Sequence, residues 1–324
     1  MSSVIGDTAS EELLEAAARQ LEASGRYRVL RRLDLAACLA DRDSSPTRLG
    51  MFLDIECTGL DPLTCEPIEL AILPFEYRLD GAIVAIHPPF QQVNQPSAPI
   101  PPNITKITGI NDEMVSGHHI DPATVANFVE DAAIIIAHNA AFDRPIAERI
   151  SPAFIAKPWA CTMSDVDWKS EGFEGRRLGE LLAAFGVFFD AHRALDDCEA
   201  GVGLLAQKVP CSGRRVLEML LETARKPCWR IFAIDAPYDA RELLRQRGYR
   251  WNASPEFGPK SWWIDLGMKE VEPELQFLEN EIFHRPISLP MEEMTAYDRY
   301  SIPMTRRALR QADSREHLAS SVRP

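Results

Sequence analysis

The chain has little that would tie it to a membrane, an oxidising compartment or a long polyanion. No uninterrupted apolar stretch in its 324 residues is long enough to span a bilayer, so no membrane role is expected. The Ser/Glu/Ala-rich first 25 residues lack the apolar segment of a secretory leader, and no signal peptide is expected. The seven cysteines (38, 57, 65, 161, 198, 211 and 228) show no C-x-x-C spacing. They suggest reduced thiols of a cytoplasmic protein, not a zinc site or a disulfide frame. Basic residues are also short: 35 Lys+Arg stand against 48 Asp+Glu, a net charge of −13. Nucleic-acid binders usually carry a basic face, so this balance argues against a general coat on nucleic acid. No internal repeats are visible. At 46% hydrophobic, the chain has ample core for two domains.

Against that background, three short segments stand out. Gly50-Met-Phe-Leu-Asp-Ile-Glu-Cys-Thr-Gly-Leu60 is an apolar run that reads as a buried strand. It ends on Asp54 and Glu56, two apart and so on one face of a strand. Two like charges side by side in a buried place are costly unless a cation or a proton compensates. A hard divalent ion such as Mg²⁺ or Mn²⁺ suits such an oxygen pair. A strand end with two solvated acids is the bland alternative. Ile134-Ile-Ile-Ala-His-Asn-Ala-Ala-Phe-Asp143 runs from an apolar strand through a turn into a helix that carries Asp143. His192-Arg-Ala-Leu-Asp-Asp197 leads into an Ala/Leu-rich helix, with His192 on the approach and Asp197 inside.

Together these segments resemble the DEDDh-type 3′–5′ exonucleases, the family of the proofreading epsilon subunit of bacterial DNA polymerase III. The first motif is Asp54-Ile-Glu-Cys-Thr-Gly59, with Cys57 where that family often has Thr. The second is His138 to Asp143 and the third is His192 to Asp197. Thr105-Lys-Ile-Thr-Gly-Ile110 is similar to the family's Gly-Ile turn beside the nucleotide. The resemblance covers roughly residues 49–208. It implies a ribonuclease H-like α/β fold, a mixed sheet flanked by helices. It also implies two Mg²⁺ or Mn²⁺ ions held by Asp54, Glu56, Asp143 and Asp197, with His192 as general base. Histidine suits that task because its pKa lies near neutrality; a capping role ahead of the helix is the alternative. Thr58, Gly59, Leu60, Thr108, Asn139 and Phe142 are the expected nucleotide contacts. Thr58-Gly59 could equally be a plain turn, Asn139 could merely shape its turn, and Phe142 could be core packing. Asp196 is read as solvated, and His118-His119 as a polar loop and not a ligand pair.

The expected organisation is an N-terminal helical extension (1–48), an exonuclease domain (49–210), a small α+β module (226–300) and a mobile tail (301–324), with scattered arginines from Arg299 onward. Strands are expected near 50–56, 67–78, 82–90 and 133–137, and helices near 104–116, 122–131, 141–150, 177–186, 194–208 and 214–225. In the module the pattern predicts strands at 229–235, 249–252 and 261–266 and helices at 239–247 and 272–284. Trp229, Trp251, Trp262 and Trp263 are expected to form the core of this small domain. Arg241, Arg245 and Arg247 share a predicted helix and are candidates for DNA or partner contact. Truncation after residue 225 is expected to leave the active site intact. The partners implied are DNA 3′ ends, chiefly single-stranded. RNA ends are a second enzymatic reading, and a non-catalytic nucleic-acid or polymerase-binding module is a third.

Overall fold

A computed structural model describes residues 4–253 and 259–301. The strands are β1 (Arg31–Arg32), β2 (Thr47–Cys57), β3 (Pro67–Arg78), β4 (Ile83–Ile86), β5 (Phe90–Val93), β6 (Ile134–Ala137), β7 (Trp159–Cys161), β8 (Val187–Phe188), β9 (Cys228–Ala233), β10 (Arg250–Trp251), β11 (Trp262–Gly267) and β12 (Met291–Met294). The helices are α1 (Val4–Ala23), α2 (Pro102–Thr108), α3 (Asp112–Val115), α4 (Pro122–Phe128), α5 (Ala140–Ile150), α6 (Leu178–Ala184), α7 (Ala194–Ala206), α8 (Val216–Arg225), α9 (Arg241–Gln246) and α10 (Met268–Phe277).

The main sheet has the order β4-β3-β2-β6-β7, with β5 also paired to β3. β3 runs antiparallel to β2 from Thr47↔Arg78 to Cys57↔Pro67, while β6 is parallel to β2 and β7 to β6. The sheet is thus mixed and helices cover both faces, the ribonuclease H-like α/β fold expected. β2 is buried through Met51–Leu53, as a central strand with both faces covered must be. Phe52 points into a core shared with α6, α7 and α8. Met51, Leu53, Ile55 and Cys57 point into a second core with α4 and α5.

A second sheet, β10-β11-β9-β12, is antiparallel throughout. Its core is Ile231, Ala233, Leu244, Tyr249, Leu278 and Ile282. Of the four tryptophans expected to form that core, Trp262 packs against it half-buried, while Trp251 is 48% exposed and Trp229 and Trp263 are half-buried outside the cluster. Small aliphatic residues on β9 and the helices already fill the space between sheet and helices.

Other differences have local causes. The expected strand at 82–90 is two, β4 and β5, separated by the His87-Pro-Pro89 break. The expected helix at 104–116 is broken at Gly109, whose φ of +72° ends α2. The last helix starts earlier, at Met268, and passes into a π turn over Leu278–Phe283. Arg299, Tyr300 and Ser301, expected at the start of a mobile tail, are packed. Arg299 donates to the Thr223 carbonyl, Tyr300 to Asp165 and Ser301 to Glu148. The rest of the expected tail, 302–324, lies outside the described residues.

Candidate active site

At its end β2 changes from continuous burial to alternation. Asp54 and Glu56 are half-buried, while Ile55 and Cys57 remain buried on the other face. The two carboxylates therefore share Phe52's side of the sheet, the side covered by α7. A Cβ on Gly201 would lie 2.1 Å from the Phe52 ring. Only glycine lets α7 approach β2 this closely. One turn back from Gly201, the helix delivers Asp197 to the end of β2. Ligand oxygens of Asp54, Glu56 and Asp197 lie within 4.8 Å of one another.

Asp143 reaches the strand end from the other side. β6 pairs with β2 only as far as Phe52. Past that point Asp143, 4% exposed, accepts a hydrogen bond from the Ile55 N–H. Its carboxylate is outside the group of three, but its charge is felt there. Burial, followed by the charges of Asp143, Asp197, Glu56 and Glu69, pushes Asp54 well above the usual carboxylate range. Burial pushes Asp143 well above it too, with the Ile55 N–H pulling the other way. Glu56 is pushed up to about 7 by burial and then by Asp197 and Glu69, with Arg193 opposing. Asp197 is pushed up to about 6 by burial, against the His192 N–H and the His192 charge.

The turn before α7 is held by groups that sequence reasoning missed. Glu69 on β3 is fully buried and stands opposite Glu56 across the β2–β3 ladder. It accepts a fork of two hydrogen bonds from Arg193, at 2.8 and 3.2 Å, and one from the Ala194 N–H at 3.0 Å. Glu69 thus caps α7 from another strand, satisfying a first-turn donor that no local side chain reaches. Burial pushes Glu69 upward, but these bonds and one from Gln91 outweigh it and hold it below its usual range. The detectable signal was an acid inside the apolar run Ile68–Phe75. Next to Arg193, His192 is exposed with φ +75°. That left-handed conformation is uncommon for a residue other than glycine, though histidine is among those enriched there. It lets the His192 N–H donate to Asp197 at 2.7 Å.

The expected nucleotide contacts divide. Leu60 is 90% exposed beside the strand end, an unusual position for a large apolar side chain. Asn139 is exposed, with no capping bond from its side chain to α5. Thr58 closes its own loop: its N–H donates to the Glu66 carbonyl, and its hydroxyl accepts from the Glu66 N–H. Phe142 is half-buried against the second core, the packing alternative. Thr108 needs correction. It is 5% exposed, its hydroxyl donates to the Ile104 carbonyl and accepts from the Ile110 N–H, and it presents nothing to a ligand. Asp196 is exposed, as read.

Among the described residues no ion pair joins a cation to Asp54, Glu56, Asp143 or Asp197, and the nearby Arg193 is engaged by Glu69. Oxygen donors crowded enough to raise one another's pKa fit a hard divalent cation. The mixed sheet is of the ribonuclease H-like class, and its central-strand carboxylates with the facing helix form a site that could hold divalent cations.

Comparison with known proteins takes this further. The sequence profile of the exonuclease family matches residues 51–205. A PolC-type DNA polymerase III of Pediococcus pentosaceus is 29% identical over 163 residues, 48% of this chain and 11% of that one. A Mycobacterium tuberculosis protein named as a bifunctional exonuclease/endonuclease is 30% identical over 166 residues, 46% of this chain and 26% of that one. Among solved structures, exonuclease X in complex with 5′ overhanging duplex DNA superposes with a TM-score of 0.40 at 26% identity, covering 54% of this chain and 99% of that one. Residues 51–205, just under half of the chain, are thus similar to the exonuclease family and to part of the PolC-type DNA polymerase III chains. The chain spans about a tenth of the length of the PolC-type relatives it matches.

Proposed function

We propose that the protein is a divalent-metal-dependent 3′–5′ exonuclease that releases 5′-mononucleotides from single-stranded DNA ends. The observation that carries this is the meeting of Asp54, Glu56 and Asp197 oxygens within 4.8 Å at the end of the central strand. Asp54, Glu56 and Asp197 would hold Mg²⁺ or Mn²⁺, and Asp143, buried at the same strand end, would complete the set. Metal ions bound there would supply positive charge to the attacking and leaving oxygens of an in-line displacement.

The chain's own residues do the rest. His192, exposed on the α7 approach, takes the proton of the attacking water. Its N–H bond to Asp197 ties the position of that base to a ligand carboxylate. The Glu69–Arg193 fork holds the same turn against the sheet. Leu60 is available to wedge against the terminal base, and Asn139 to contact its backbone. DNA is favoured over RNA because the PolC-type relatives are named as DNA polymerases.

The test is digestion of matched DNA and RNA oligonucleotides labelled at the 3′ or 5′ end, with Mg²⁺, Mn²⁺ or EDTA. Mononucleotides released from the 3′ end only with metal, and faster from DNA, are expected. Asp54→Ala should abolish release while leaving the circular dichroism spectrum unchanged. Activity that persists in EDTA would remove the metal reading.

A further inference from the structure

The accessory sheet has two faces with different chemistry. One sends Ile231 and Ala233 into the module's own core. The other carries a cross-strand row, Phe232 on β9, Trp263 on β11 and Arg250 on β10, paired in register. Arg230 joins this face. Its guanidinium lies 4.1 Å from the Trp263 ring centroid, and that of Arg250 lies 5.3 Å from it. This face lines a cleft of about 590 Å³ whose opposite wall is the Pro62–Leu63 turn with Ala141 and Pro145 of α5. Those wall elements also frame the catalytic centre: the turn continues the loop that leaves β2 at Cys57, and α5 carries Asp143.

We propose that this cleft binds the single-stranded nucleic acid that lies upstream of the 3′ end, by stacking a base on half-buried Trp263 and pairing a phosphate with exposed Arg250. The proposal rests on the exonuclease reading only for the direction of the strand. Aromatic side chains on an open sheet face are a general platform for unstacked bases, and arginine planes extend it. The charges have suitable partners. Buried Arg230 is neutralised by a fork to Asp265 at 2.7 and 2.8 Å, so it backs the Trp263 ring and adds no free charge to the cleft. Asp165, the acid on the far wall, is occupied by Tyr300 at 2.6 Å. Among the described residues no carboxylate pairs with Arg250, which leaves its charge for a phosphate. The helix expected to make this contact is different: Arg241 and Arg245 pair with Glu242, and Arg247 pairs with Glu274 at 2.8 Å and stacks on Phe277. Two carboxylates, Glu242 and Glu274, thus answer most of its positive charge within the module.

The experiment uses the full chain with Arg250→Glu and, separately, Trp263→Ala. Binding of a fluorescent single-stranded DNA of about 20 nucleotides, longer than the roughly 4–16 that one domain covers, is measured by anisotropy in EDTA. Each variant should raise Kd about 5–100-fold, as loss of a stacked base does. Arg250→Glu should also flatten the salt dependence by about one phosphate. Hydrolysis of a trinucleotide, too short to reach the cleft, reports the catalytic site separately and should match wild type. Unchanged Kd for the long strand in both variants would overturn the proposal and leave the cleft to a protein partner. Equal losses on long strand and trinucleotide would overturn it too, since the substitutions would then act on the fold or the catalytic centre. A wild type that binds the long strand but never cleaves the trinucleotide with Mg²⁺ would refute the exonuclease reading and leave the cleft standing.

Discussion

Replacing Glu56 by Gln should stabilise the metal-free protein, and only above pH 5. Glu56 titrates at an ordinary 4.5 when unfolded and at about 7 in the native site. The native state therefore binds a proton that the unfolded state has already lost between those values. Native stability falls as pH rises through that window, since the slope follows the protons bound by the unfolded minus the native state. A displacement of this size corresponds to about 3 kcal/mol at pH 7.5. Asp197, at about 6, adds in the same direction, although part of its shift is repulsion already counted for Glu56. Wild type alone would give an ambiguous curve, because buried His138 is pushed down to about 4. That histidine makes stability rise with pH between about 4 and 6.5, the opposite sign. The difference between Glu56→Gln and wild type cancels it. The assay is urea unfolding in EDTA at pH 5 and pH 7.5. The variant should gain little at pH 5 and about 3 kcal/mol at pH 7.5. Saturating Mg²⁺ should reverse the order, since metal binding stabilises the state that holds it. An equal advantage at both pH values, or none at 7.5, would refute the claim that burial and, after it, the neighbouring carboxylates raise Glu56.

Three further outcomes are expected. His192→Ala should lower turnover about 10²–10⁴-fold, the usual share of a positioned base, with Mg²⁺ affinity by calorimetry kept; near-wild-type turnover would make the residue a turn former only. Glu69→Gln should cost about 10–100-fold in activity or metal affinity, as loss of an outer partner does, and its fluorescence-monitored urea midpoint should fall; normal kinetics would show that the Arg193 fork does not position the α7 turn. Truncation after residue 225 should destabilise the exonuclease domain by about 1.5–3 kcal/mol, the worth of a hydrogen bond to a charged group, measured as a lower unfolding midpoint. The reason is that fully buried Arg144 donates to the carbonyls of Ala296, Tyr297 and Arg299, all of which the truncation removes.

How much of this was legible in the sequence depended on the range of the signal. The paired acids of β2 follow from a two-residue period, so residues 50–56 suffice to put Asp54 and Glu56 on one face. Asp143 and Asp197 needed the motif resemblance, because nothing local says that two helix starts converge on the same strand end. Glu69 was passed over since its partner Arg193 is 124 positions away. The strand Met291–Met294 was missed because Met-Glu-Glu-Met alternates weakly and sits at a sheet edge, exposed on three of four residues. The anchoring of the 296–301 segment was invisible for two reasons: some of its bonds use main-chain carbonyls, which no residue type announces, and its side-chain acceptors Asp165 and Glu148 lie 135 and 153 positions away.

The net charge of −13 stood against a polyanionic substrate, and the structure shows why a sum over residues is a poor guide here. Charge acts through its placement. Four of the acids lie together at the end of β2, where bound cations would invert the local sign. Glu69, Glu148, Asp265 and Glu274 are tied to Arg193, Arg144, Arg230 and Arg247, so they offer little field to an approaching strand. What remains beside the catalytic centre is a stacking surface with Arg250 at its edge. An enzyme built this way would hold a strand chiefly by its last bases and its metal site. Its salt dependence would then be shallow, with few phosphates neutralised, which is the behaviour an acidic chain needs in order to act on an acidic polymer.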